Sequence, residues 1–155
     1  MKNNDILRRL RYALDISDVK MVEIFGKSEY KTDVLQIKNM LKKEDEEEFF
    51  NINDRIMTLF LDGFIAYKRG ENPNKEDVKK EKRLTNNDIL KKIKIALNLK
   101  TDDILELMIL AENPISKSEL GAVLQKKDHK NYKECGDKYI KKLLQGLTIK
   151  TRGSK

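Results

Sequence analysis

The sequence predicts an all-α protein of two tandem pseudo-repeated units, each of about four helices. Three observations lead there. Asn3-Asn4-Asp5-Ile6-Leu7 returns as Asn86-Asn87-Asp88-Ile89-Leu90, and the same offset of 83 holds without a gap to Arg69-Gly70 and Arg152-Gly153. Apolar residues recur at helical spacing along both segments. The composition suits helix, with 7 Gly and 2 Pro in 155 residues, no Trp, and abundant Lys, Leu, Ile, Asp and Glu.

The weight of the repeat lies in its register. Ala13 and Leu14 match Ala96 and Leu97; Leu41, Lys43 and Asp45 match Leu124, Lys126 and Asp128; Asp54, Leu61 and Gly63 match Asp137, Leu144 and Gly146. About a quarter of the aligned positions are identical. Two unrelated basic helices would not stay aligned across four segments without a gap. A unit of about 70 residues has much surface for its volume, so two such units gain by packing. The regular apolar supply sets the chain apart from a disordered one, although 38% of it is charged.

The first helix of each unit carries Ile6, Leu10, Ala13 and Leu14, or Ile89, Ile93, Ala96 and Leu97, on one face. Asn4 and Asn87 are expected to cap it, since a short side-chain oxygen accepts the open amide protons of a first turn. The second helix holds Met21, Val22, Ile24 and Phe25, or Ile104, Leu105, Leu107 and Met108. Thr101 is its expected cap, with Asp102 and Asp103 facing the positive end of the helix dipole. Ser116-Lys117-Ser118-Glu119 fits a capping box opening the third helix, and Asp33 with Gln36 takes those places in the first unit. Its core face is Ile37, Met40 and Leu41, or Leu120, Val123 and Leu124. The fourth helix carries Ile56, Phe60, Leu61 and Phe64, or Tyr139, Leu143, Leu144 and Leu147. Gly63 and Gly146 sit inside it. Glycine there costs about 1 kcal/mol against alanine, so its presence in both units predicts close approach of another backbone. The organisation is a first repeat over 1–70, a charged linker over 71–84 and a second repeat over 85–155, with residues 152 to 155 as a frayed tail.

No apolar run reaches the roughly 18 residues of a membrane span. Residues Met1 to Leu14 are amphipathic and basic, as a targeting helix is, but the pattern returns in mid-chain where no such signal sits. The expected location is cytoplasmic, with no membrane partner.

A family resemblance is carried by Asn3-Asn4-Asp5-Ile6-Leu7, Leu41-Lys42-Lys43-Glu44-Asp45-Glu46-Glu47, Leu99-Lys100-Thr101-Asp102-Asp103-Ile104-Leu105 and Asp128-His129-Lys130-Asn131-Tyr132-Lys133-Glu134-Cys135-Gly136-Asp137. The chain resembles the YehS family of small bacterial proteins, catalogued as a domain of unknown function. The resemblance covers nearly the whole chain and the two-copy layout, and implies a bacterial source. It implies no activity, ligand or active site.

The residues themselves offer little catalytic chemistry. Cys135 is the single cysteine, so no intrachain disulfide forms. His129 and Cys135 supply one imidazole and one thiol where a structural zinc site wants four ligands. Six positions apart, they do not share a helical face for nucleophilic work. Cys135 is expected to be a half-buried structural thiol. The run Glu44-Asp45-Glu46-Glu47-Glu48 lacks the alternation and the glycine turn of a calcium loop. It reads as a solvated short helix, or as a surface for a basic partner at Glu44, Asp45, Glu46 and Glu47. No phosphate loop or Ser-His-Asp set is present. No cofactor, metal site or enzyme activity is expected.

Charge is distributed unevenly. Residues 1 to 84 carry about 18 basic and 17 acidic groups, the remainder about 15 and 9. Lys126, Lys127, Lys130, Lys133, Lys138, Lys141 and Lys142 crowd one stretch of the second unit, which is either a lysine-rich solvated face or a phosphate-attracting patch. Ser116 to Leu124 resembles the first helix of a helix-turn-helix, and a short helix from Asp128 to Cys135 would then present His129, Lys130 and Asn131 to a groove. The matching acidic segment of the first unit would repel DNA. The expected function is a non-enzymatic binding or regulatory module touching nucleic acid through His129, Lys130, Lys133, Lys138, Lys141 and Lys142. The alternative is a protein-interaction adaptor using an acidic first and a basic second repeat.

Overall fold

The computed structural model describes residues 1–71 and 83–153; most of the expected linker lies outside them. Eight helices and no strand occur among the described residues: α1 (Asn3–Leu14), α2 (Asp18–Gly26), α3 (Val34–Met40), α4 (Asp54–Arg69), α5 (Asn86–Ala96), α6 (Thr101–Leu110), α7 (Lys117–Leu124) and α8 (Asp137–Arg152). They fall into two compact units, Met1–Leu84 and Thr85–Lys155, each with four helices in the same order.

In the first unit α2 packs on α3 and α4. Its core joins Ile6, Leu7, Leu10 and Ala13 of α1 to Met21, Ile24 and Phe25, Ile37 and Met40, and Phe60, Leu61 and Phe64. Phe25 contacts Tyr30 and Phe60 at ring distances of 5.2 Å, and Phe60 stacks on Phe64 at 6.0 Å. In the second unit α6 packs on α7 and α8, and α5 on α7 and α8. Met108, Leu143 and Leu147 stand at the positions of Phe25, Phe60 and Phe64, so an aliphatic core replaces an aromatic one. Of the expected core residues, Leu14, Leu41, Leu97 and Leu124 are only half-buried, and so are Val22, Leu105 and Tyr139. Leu7 and Leu90 complete the buried faces of α1 and α5.

The two glycines of the fourth helices mark a close approach, as expected. A Cβ on Gly63 would overlap the Ile24 carbonyl oxygen and lie 3.1 Å from its carbon. One on Gly146 would overlap the Leu107 oxygen and lie 2.8 Å from its carbon. Only hydrogen at these positions lets α4 rest on the α2 backbone, and α8 on that of α6.

Helix starts are partly as expected. Ser116 Oγ accepts from Glu119 N at 3.0 Å, and Asp33 Oδ1 from Gln36 N at 2.8 Å. Thr101 is not a cap but the first residue of α6; the cap position is Lys100, whose N–H donates to Asp103 Oδ2 at 2.7 Å. Asn4 and Asn87 are not caps either. Thr85 caps α5, accepting from Asp88 N at 3.1 Å, and Lys2 holds the same role position before α1. Each asparagine lies two residues past the cap position and turns its amide inward.

Candidate nucleic-acid interface

The inward amides of Asn4 and Asn87 build the site. Asn4 Nδ2 donates to the carbonyls of Met40 and Phe50, each at 2.8 Å, and its Oδ1 accepts from Ile52 N at 3.0 Å. Asn87 repeats this at the offset of 83. Its Nδ2 donates to Val123 O and Lys133 O at 2.9 Å, and its Oδ1 accepts from Cys135 N at 2.9 Å. One side chain thus ties the end of the third helix to both sides of the strand-free segment leading to the fourth. The preceding asparagine fastens that segment further on. Asn3 Nδ2 donates to Ile52 O and Asp54 Oδ1 at 3.1 and 2.9 Å; Asn86 Nδ2 donates to Cys135 O and Asp137 Oδ1 at 3.1 and 2.8 Å. Arg8 donates to Lys42 O, and Lys91 to Gln125 O, at 2.9 and 3.0 Å.

Between these anchors each unit holds a loop of two successive turns. Glu46 N donates to Lys43 O, Phe49 N to Glu46 O and Phe50 N to Asn39 O. His129 N donates to Lys126 O, Tyr132 N to His129 O and Lys133 N to Ala122 O. The short helices expected over Glu44–Glu48 and over Asp128–Cys135 are therefore absent, and with the second goes the helix-turn-helix. The anchoring asparagines fix the two ends of each segment, at Met40 and at Phe50 and Ile52 in the first unit and at Val123 and at Lys133 and Cys135 in the second, and two turns span the residues between.

The loops share a frame and differ in charge. Glu44, Asp45, Glu46, Glu47 and Glu48 are all exposed. Glu44 lies 3.6 Å from Lys2 Nζ, and Glu46 Oε1 accepts from Lys43 N at 2.8 Å. In the second unit Lys126, Lys127, His129, Lys130 and Lys133 are exposed. His129 Nδ1 accepts from Asn131 N at 3.0 Å, steadying the turn from the position Glu46 occupies in the first loop. Lys138 and Lys141 are exposed on the first two turns of α8. Lys142 is half-buried, its Nζ 3.5 Å from Gln145 Oε1. The Asn86 amide on Asp137, aided by nearby Lys141, holds that carboxyl below its ordinary range.

Cys135 is not beside His129 in kind of environment: the thiol is 3% exposed and the imidazole is exposed. Burial pushes the thiol up to about 12, far from a reactive thiolate. The matching residue of the first unit is Ile52, also buried. An apolar filler suffices at this place. Among the described residues no group of three or more His, Cys, Asp or Glu stands ready for a metal, and no helix is long and apolar enough to cross a membrane.

The family described as a protein of unknown function, DUF1456, matches residues 3–70 and 86–153, the two halves of this repeated geometry. The chain belongs to the DUF1456 family. It is 39% identical over 150 residues to the uncharacterized protein YehS of Escherichia coli (strain K12), covering 97% of this chain and 96% of that one. No solved structure matches it. In this DUF1456 chain the paired asparagines were legible as repeated residues, but their partners lie 36 to 51 positions away and no local spacing rule reaches them.

Proposed function

We propose that this protein is a non-enzymatic binding module of the cytoplasm that contacts nucleic acid through its second repeat, residues 85–155. The contacts are His129, Lys130 and Lys133 on the α7–α8 loop and Lys138, Lys141 and Lys142 on α8. The observation that carries the reading is the pair of loops with one backbone frame and opposite charge. A lysine-rich face kept only for solvation has no reason to be confined to one of two equivalent loops. The lysines on α8 add support. Lys138 stands in the first turn, where the helix dipole disfavours a cation by about 0.3–1 kcal/mol and favours phosphate, and Lys141 and Lys142 follow in the second. That unfavourable placement makes sense when an anion sits among them.

The contacts are to phosphates rather than bases, since no side-chain pair here is matched to base edges. Neutralising roughly four to six phosphates gives a slope of log affinity against log salt of about −4 to −5 for duplex DNA. Replacing Lys130, Lys133, Lys141 and Lys142 with Ala in the full chain flattens that slope and preserves helix, alanine being a good helix former. Negligible binding to DNA and RNA at low salt would overturn the reading. It would favour the second one, a protein-interaction adaptor using the acidic first repeat, through exposed Glu44, Asp45, Glu46 and Glu47, and the basic second repeat. Residues 1–70 and 85–155 would then each meet a partner, with 71–84 as the linker.

A further inference from the structure

The outer face of α6 in the second unit is apolar and acidic at once. Ile109 is 62% exposed and Leu110 41%. Helical spacing sets Glu106 between them, three residues before one and four before the other, and Leu105 stands half-buried four residues before Ile109. Glu106 and Glu112 are exposed, and neither carboxylate has a hydrogen-bond or ion-pair partner among the described residues. Asp102, at the start of the same face, lies 3.9 Å from Lys117 Nζ, and Asp103 Oδ2 accepts from Lys100 N, so those two are already engaged. Alone of the eight described helices, α6 carries no Lys or Arg. Its last turn leaves the negative end of the helix dipole without a cation, and Glu112, one residue past the cap, adds a charge of the same sign.

The first unit treats this place differently. At the offset of 83, Gly26 and Lys27 stand where Ile109 and Leu110 do, and Glu29 stands where Glu112 does. Lys27 is the cation that a helix end favours. The second unit has leucine in its stead and isoleucine beside it, which adds exposed apolar surface and leaves the helix end negative. A single exposed leucine would carry nothing; the joint loss of the cation and gain of apolar surface defines what fits there. We propose that the α6 face docks a basic amphipathic helix of a partner protein. The apolar side of that helix lies along the ridge of Leu105 and Ile109 and against Leu110, four-residue ridges being the commonest in helix packing. Its Lys or Arg side chains reach Glu106, Glu112 and the carbonyl end of α6. The site is independent of the nucleic-acid reading, which uses the α7–α8 loop and α8.

The probe is a fluorescent peptide of about 18 residues, roughly five helical turns, with Leu along one face and Lys elsewhere. It is titrated with the full chain and read by anisotropy. Saturable one-to-one binding that weakens with salt is expected. Leu110→Lys, which writes the first unit's residue into the second, and Ile109→Ser each weaken it by roughly tenfold, and so does the pair Glu106→Gln, Glu112→Gln. Leu110→Lys puts a cation at the helix end, so its unfolding midpoint does not fall, which separates lost docking from lost fold. The Glu44→Gln, Asp45→Asn, Glu46→Gln, Glu47→Gln variant keeps the affinity. So does the Lys130, Lys133, Lys141, Lys142→Ala variant, whether or not it has lost nucleic acid. The absence of saturable binding up to about 1 mM overturns the proposal. Equal binding of a peptide with Ser for every Leu, or with Glu for every Lys, overturns it as well. Binding that survives Leu110→Lys but disappears with the acidic loop of the first unit gives the peptide to that loop and ends the assignment to α6.

Discussion

Asn4 and Asn87 are buried and each holds three hydrogen bonds. Truncation to alanine strands two carbonyls and one amide, so Asn4→Ala or Asn87→Ala should cost about 3 kcal/mol in urea unfolding. The aspartate variants discriminate more sharply. Aspartate is as good a helix cap as asparagine, so Asn87→Asp would be harmless at a cap. Here its carboxylate faces the Val123 and Lys133 oxygens and should destabilise as much as alanine does. Cys135 invites a gentler change. Cys135→Ala should cost about 1 kcal/mol and leave binding intact. Because the thiol is raised from 9.0 to about 12 in the fold, its protonated form is the one the fold favours. Its stabilisation is complete below pH 9 and is lost as pH climbs from there toward 12. The stability gap between wild type and Cys135→Ala should therefore narrow across that window, and thiol labelling should track unfolding.

At the scale of elements the two glycine contacts dominate. Gly63→Ala and Gly146→Ala each gain about 1 kcal/mol in helix propensity. They also drive a methyl into the Ile24 or Leu107 carbonyl, which is backbone in a neighbouring helix and yields poorly. A net loss of about 2–3 kcal/mol is expected for either, read from denaturant midpoints; a neutral result would mean the helices are not in backbone contact. These glycines were legible in the sequence because a residue poor for helix recurs at one register position. So were the helix faces built on Ile6, Leu10 and Ala13, since periodicity is a local property. The loops were not. Acidic and lysine-rich runs look like solvated helix when read alone, and the contacts that fix the ends of these loops come from a side chain 36 to 48 residues earlier. The caps failed for a related reason: Asn4 has a capping residue's chemistry, but its partners are tertiary.

For the whole molecule, duplication followed by divergence of charge is the feature with functional weight. The two units keep the asparagine brackets, the glycine contacts and the loop turns, and they reverse the charge the loop displays. Of the positions between 127 and 131, only Asp128 already matches its counterpart, Asp45. Writing the first loop into the second repeat thus needs four substitutions in the full chain: Lys127→Glu, His129→Glu, Lys130→Glu and Asn131→Glu. Surface changes on a loop held by Asn87 should leave stability within about 1 kcal/mol of wild type. The direct measurement is the affinity of this variant for duplex DNA across a salt series, beside wild type. The account predicts an unchanged unfolding midpoint with binding abolished and its salt slope gone. Wild-type affinity in the folded variant would contradict it.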